Sequence, residues 1–271
     1  MPASLDQILA ATRRRAAETK RAVDLRTLEK QAAKHNPRGF KKALQKASEA
    51  GAAVIAELKK ASPSCGLIRQ SFDPAALARE LEGAGAAALS VLTDEEFFQG
   101  SLENLQRASA STRLPCLRKD FMVDEFQVLE ARANCADAIL LIVAALPQAE
   151  LIALAGSARE HGLDVLCEVH AREELQRAID AGCDLIGVNN RDLRTFKVDV
   201  ETAVGLAEFM PEDVVRVAES GIHSGADIAR LRSAGYHAFL IGESLMKAQS
   251  PGKALQTLLA ESQSKVASTL R

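Results

Sequence analysis

The chain has 271 residues, 47% hydrophobic and 26% charged, a composition that suits a globular protein with a full core and excludes a disordered one. Its 34 Lys+Arg against 36 Asp+Glu leave a formal charge of −2, and with 4% aromatics and no basic block a nucleic-acid partner is not expected. The five cysteines, Cys65, Cys116, Cys135, Cys167 and Cys183, include no C-x-x-C pair, so neither a zinc site nor a disulfide frame is implied, and a reducing cytoplasm is expected.

The first segment, MPASLDQILAATRRRAAETKR, lacks the apolar stretch of a signal peptide, and no apolar run reaches the length of a membrane span. Its arginines are shared with transit peptides. However, Ser4 is a suitable N-cap, and Leu5, Ile8 and Leu9 recur at helical spacing, which predicts an amphipathic helix. Helical patterning continues through residues 1–51 with a break at Asn36-Pro37-Arg38-Gly39. A stretch this short makes no core of its own, so 1–51 is read as an extension and 52–271 as the single catalytic domain.

From residue 53 onward, short apolar or β-branched runs alternate with longer helical patterns. The candidate strands are 52–59, 86–93, 114–119, 136–143, 163–169, 183–189, 213–220 and 236–242. Helix signals fall between them: Asp73-Pro74 as N-cap and N1, Gly83 and Gly85 after the same helix, Pro147 opening another that ends near Gly162. Eight βα units predict an α/β fold of the (β/α)8 TIM-barrel type. A doubly wound sheet is the runner-up, but the turn after the first strand, KKASPSCG, lacks the glycine-rich fingerprint that would announce it.

In such a barrel the chemistry sits at the C-terminal ends of the strands. Polar residues collect there: Glu57 and Lys59, Lys119, Glu168, Asn189, and Glu219 with Ser220. The two-residue period puts Glu57 and Lys59 on one side. Taken singly, Glu57 and Lys59 read equally well as a rim ion pair and Asn189 as a loop cap; their recurrence at strand after strand is what solubility alone does not explain. Lysines and glutamates sharing a partly dry mouth shift one another's pKa values and equip it for general acid–base work without metal or cofactor. The histidines at 35, 161, 170, 223 and 237 show no metal-ligand spacing, and His170 reads as a loop residue. The loops ESGIHSG (219–225) and IGES (241–244) place glycines where backbone approaches a phosphate, with Ser220 as a hydroxyl donor and the N–H of Glu243, rather than its carboxylate, as the group that serves. These residues point to a phosphorylated small-molecule substrate.

Several motifs, LDQIL, IAELKKASPS, SVLTDEEFFQGS, LPCLRKDFMVDEFQV, ADAILLIV, CEVHAREEL, IGVNNRDLRTF, VAESGI and FLIGESLM, resemble in content and order the indole-3-glycerol phosphate synthases of tryptophan biosynthesis. The resemblance spans nearly the whole chain. It implies closure of an indole ring on 1-(2-carboxyphenylamino)-1-deoxyribulose 5-phosphate with loss of carbon dioxide and water. It further implies Lys119 as the acid on the ketone, Lys59 as a second acid for dehydration, and Glu168 as base or stabiliser of positive charge on nitrogen. Glu57 and Asn189 would orient these groups, and Glu219 would support them. Ser220, Gly221, Gly242 and Glu243 match the phosphate grip, Ser62 lies in the matching first loop, and Arg191 matches a substrate-anion contact. Phe98, Phe121 and Leu140 correspond to apolar walls around the anthranilate ring; by residue type alone they read as core. Cys65 stands where the family commonly has lysine, and Cys135 where it commonly has glycine. A monomer is expected, with contact to other tryptophan-pathway enzymes left open. The competing readings are another sugar-phosphate barrel enzyme, either an isomerase or an aldolase using a Schiff base on Lys119, and a non-catalytic sugar-phosphate binder.

Overall fold

The computed structural model describes residues 3–192, 195 and 197–269, with side chains described as far as 263. Three helices lead the chain: α1 (Leu5–Ala22), α2 (Leu25–Ala32) and α3 (Phe40–Ala50). Ser4 caps α1 reciprocally with Gln7, each side chain accepting from the other's backbone N–H. The break between α2 and α3 is made at Gly39, whose φ of 77° is one that a side chain disfavours.

Eight parallel strands follow: β1 (Ala53–Leu58), β2 (Ala88–Leu92), β3 (Cys116–Lys119), β4 (Ala138–Ile142), β5 (Asp164–Val169), β6 (Leu185–Asn189), β7 (Val215–Glu219) and β8 (Ala238–Ile241). They close in chain order, β8 pairing with both β7 and β1. Each lies inside its predicted segment but starts one or two residues later, because leading residues such as Ala86 and Val214 sit outside the hydrogen-bonded ladder. The connecting helices are α4 (Pro74–Gly83), α5 (Glu95–Phe98), α6 (Leu102–Ala110), α7 (Glu125–Ala133), α8 (Gln148–Glu160), α9 (Arg172–Asp180), α10 (Glu201–Leu206), α11 (Gly225–Ser233), α12 (Glu243–Lys247) and α13 (Pro251–Thr269). Asp73 caps α4 and Pro74 occupies its first turn, as the sequence signals require. A small hairpin, Ala61–Ser62 with Gly66–Leu67, and the short helices α5 and α12 were not foreseen: pieces this brief carry no readable period.

Alternation along the strands sorts the core into two layers. Ala53 and Ile55 of β1, Leu117, Leu140, Leu166, Val217 and Leu240 point inward, while Val54, Ala56 and Leu58 pack outward against the helices. Phe40 and Leu44 of α3, both fully buried, join the inward layer beside Ala53, Leu185, Val215 and Ala238, the first residues of their strands. They plug the N-terminal end of the barrel, contributing about 1.5–3 kcal/mol each by burial.

The extension is held by a buried ion cluster. Asp137, just before β4, accepts from the backbone N–H of Arg38 at 2.7 Å, from Cys116 N at 2.6 Å and from Arg38 Nε at 3.0 Å, and faces His35 Nε2 at 3.2 Å. Asp137, together with Cys135, raises the His35 pKa to about 9 against the effect of burial. Among the described residues no helix is long and apolar enough to cross a membrane.

Candidate active site

The inward row of β1 ends in Glu57, and one residue beyond the strand Lys59 turns back to meet it, Nζ to Oε1 2.7 Å. Lys119, the last residue of β3, extends its ammonium to within 3.3 Å of Glu168 Oε2 on β5 and 3.8 Å of Glu219 Oε2 on β7. The amide of Asn189, the last residue of β6, donates to Glu168 Oε1 at 3.1 Å. Asn189 and Glu219 are ladder partners, so the strand register itself sets these groups side by side. Glycine makes room for them: a Cβ on Gly187 would overlap Glu219 Oε1, and one on Gly242 would overlap Glu57 Oε1.

The protonation states follow from this crowding. Burial opposes the Lys119 charge, but Glu168, then Glu219 and Glu57, outweigh it and hold the ammonium above its ordinary pKa. Burial also works against ionised Glu168, yet Lys119, His170 and the Asn189 bond keep its carboxylate below the usual range. Burial and the Glu168 charge push Glu219 up to about 8 despite the pull of Lys119. At neutral pH the centre therefore holds a protonated lysine, an ionised Glu168 and a neutral Glu219 whose Oε1 has no hydrogen-bond partner among the described residues.

Around this polar centre the walls differ. Phe98, on α5, and Phe121, two residues past β3, face each other with centroids 6.3 Å apart and rings tilted by 42°; Leu140 of β4 joins them from below. On the opposite side the chain leaves β7 through two successive left-handed residues, Ser220 at φ 63° and Gly221 at φ 73°. It leaves β8 through Gly242 into α12. All fifteen residues singled out in the sequence, Ser62 and Arg191 included, line one cleft at the C-terminal mouth.

A family model described as indole-3-glycerol phosphate synthase matches residues 5–258. The chain is 62% identical over 259 residues to the indole-3-glycerol phosphate synthase of Koribacter versatilis (strain Ellin345), covering 96% of this chain and the whole of that one. The chain belongs to the indole-3-glycerol phosphate synthase family. More distant solved structures share the barrel alone: a mandelate oxidase variant at 18% identity and TM-score 0.62, covering 89% of this chain and 94% of that one, and thiamine phosphate pyrophosphorylase from Pyrococcus furiosus at 18% and 0.60, covering 78% of this chain and 96% of that one.

In this synthase-family cleft three features were not foreseen in the sequence. Ala3, just ahead of α1, and Leu5 and Ile8 on it form part of the mouth, so the extension reaches the site from the top as well as plugging the barrel from below. The amphipathic signal announced the helix, but not where its apolar face would land. Asp94 and Asp120 also line the cleft, each just beyond a strand end, where the reading stopped one residue short. His170 is a loop residue, as expected, and its contacts are what the sequence did not show: its Nε2 lies 3.4 Å from Glu168 Oε1 and its Nδ1 3.2 Å from Glu174 Oε2. Burial opposes its charge, yet these two carboxylates hold its pKa above the ordinary value. The i, i+4 spacing to Glu174 was the readable clue.

The Glu243 carboxylate is engaged by Lys247 Nζ at 2.6 Å, by the thiol of Cys65 at 3.4 Å and by Arg191 at 3.5 Å, with Lys247 the main cause of its lowered pKa. Its negative charge is thus largely matched by these partners.

Proposed function

We propose that this chain catalyses the family's ring closure, converting 1-(2-carboxyphenylamino)-1-deoxyribulose 5-phosphate to indole-3-glycerol phosphate, water and carbon dioxide. In this reading Phe98, Phe121 and Leu140 enclose the anthranilate ring and fix the aryl carbon against the ketone. Ser220, Gly221, Gly242 and the Glu243 N–H grip the phosphate, with Ser62 and Arg191 at the edge of that subsite. The substrate then spans the cleft across Lys119.

As the aryl carbon attacks the ketone carbon, the ketone oxygen acquires negative charge. Lys119 gives it a proton. An ammonium with a raised pKa suits this step, because a developing alkoxide is more basic still. The positive charge appearing on the anilino nitrogen and ring faces the ionised Glu168, which is fixed by Asn189. Loss of carbon dioxide returns the bonding pair to the ring. In the final step the new hydroxyl leaves as water with a proton from Lys59, oriented by Glu57, and Glu168 accepts the proton that restores the indole. Neutral Glu219 limits the negative charge beneath Lys119. Residues 1–51 act as one unit with the barrel, and a cytoplasmic monomer completes the proposal, with contact to other tryptophan-pathway enzymes left open.

The observation that carries this reading is the lysine–glutamate centre set between an aromatic pair and two phosphate-type loops. The same centre argues against an aldolase-type Schiff base, since a nucleophilic amine must be neutral and Lys119 is held as an ammonium. The test is to supply the substrate and follow indole fluorescence in the presence of chelator. Appearance of indoleglycerol phosphate, insensitive to borohydride, is expected; covalent trapping of substrate on Lys119 would replace this mechanism with the aldolase one.

A further inference from the structure

Helix α1 reaches over the mouth, and one of its arginines touches both loops that carry the aromatic walls. Arg15 donates to Asp94 Oδ2 at 2.8 Å and lies 3.7 Å from Asp120 Oδ1. The two carboxylates are almost wholly buried, with side-chain exposures of 1% and 3% against 34% for Arg15.

Each carboxylate organises one wall. Asp94 is the N-cap of α5: its Oδ1 accepts from Phe97 N at 2.7 Å and its carbonyl accepts from Gly100 N at 2.8 Å, which sets the short helix that presents Phe98. Asp120 accepts from the N–H of Phe121 at 2.9 Å through Oδ1, the same oxygen that faces Arg15. Its other oxygen is held independently, by Thr93 Oγ1 at 2.6 Å and Arg118 at 3.1 Å. Thr93, next to Asp94, already ties the two loops at Asp120 Oδ2, and Arg15 adds a second bridge that joins the carboxylates themselves, while the anchoring of Asp120 next to Lys119 does not depend on it.

We infer that Arg15 is a positioning residue for the aromatic-ring subsite, setting the separation of the Phe98 and Phe121 walls by clamping Asp94 and Asp120 together under α1. The inference rests on the ring-closure reading above, in which those two phenylalanines hold the anthranilate moiety. Both contacts are made by one guanidinium nitrogen, Nη2, whose charge is spread over a rigid plane, so a lysine ammonium on a flexible stem would hold the pair less firmly. Arginine runs on helix surfaces are commonly solvated, and Arg13 and Arg14 beside it are exposed. Arg15 differs in facing a buried acidic pair.

Because the clamp acts on ring binding and leaves the hold on Lys119 in place, its loss should divide unevenly between the kinetic constants. Arg15→Gln should raise KM about fivefold or more while kcat changes less than about twofold. Arg15→Lys should give an intermediate KM. Arg13→Gln breaks the exposed pair of Arg13 with Glu150 on the same helix and should leave KM unchanged. If Arg15→Gln does not fold, Asp94→Asn retains a capping side chain, removes the charge that Arg15 binds, and should show the same rise in KM.

Equal KM in wild type and Arg15→Gln, or an equal rise in Arg13→Gln, would overturn the inference, the second outcome assigning the effect to general docking of α1. Wild type that turns the substrate over, with Arg15→Gln kinetically silent, sinks this inference alone. Wild type that forms no indoleglycerol phosphate sinks the ring-closure reading.

Discussion

Glu219→Gln separates the shape of Glu219 from its charge. The side chain is 2% exposed, and its pKa is raised from 4.5 to about 8 by burial and by Glu168. A carboxyl whose folded pKa lies above its unfolded value binds its proton more tightly when folded. Its contribution is therefore fully present below about pH 4.5 and is lost as the pH rises through about 8. A shift of this size corresponds to stability on the order of 2–5 kcal/mol. Glutamine carries no proton to lose, so wild type should lose stability relative to the variant by that amount between pH 5 and pH 8.5. Both proteins will also lose the contribution of His35, whose raised pKa of about 9 acts in an overlapping window, and the difference between the two proteins cancels it. Urea unfolding followed by circular dichroism at several pH values measures the difference. A gap between the two proteins that does not change with pH would refute the claim that Glu219 is folded in its neutral form.

Asp137→Ala should destabilise the fold by about 3–5 kcal/mol, since it leaves the Arg38 charge without its buried counter-ion; denaturant titration reads it directly. Gly242→Ala should lower kcat by about tenfold or more and also lower the melting temperature, because the added Cβ would lie 2.9 Å from Glu57 Cβ and displace the carboxylate that orients Lys59; steady-state kinetics beside a thermal melt reads both effects. Cys65→Lys should lower KM severalfold at low ionic strength and lose that advantage in salt, by adding a cation beside Glu243 at the phosphate end of the cleft; a KM that does not respond would count against an electrostatic role for this loop.

The barrel and its polar centre were legible because both rest on short-range rules. Period-two alternation placed Glu57 and Lys59 on one side at the end of β1, and the rule that chemistry lies at strand C-termini selected Lys119, Glu168, Asn189 and Glu219. The aromatic walls were not legible from residue type: Leu140 is buried in the barrel interior and lines the cleft as well, so core and wall are the same residue there. The clamp of α1 lay further out of reach, because Arg15 and Asp94 are 79 residues apart and meet only once the extension folds back over the mouth. The same holds for His35 and Asp137, separated by 102 residues. Long-range ion pairs of this kind leave no periodic trace in a single sequence.

The most direct test of the mechanism is single-turnover formation of indoleglycerol phosphate by wild type, Lys119→Ala and Lys59→Ala. With Lys119 as the acid of ring closure, Lys119→Ala should lose at least about a thousandfold in rate and release no carbon dioxide. Lys59→Ala should still release carbon dioxide while the final dehydration slows. Ring closure at near wild-type rate without the Lys119 ammonium would contradict the role given to that residue.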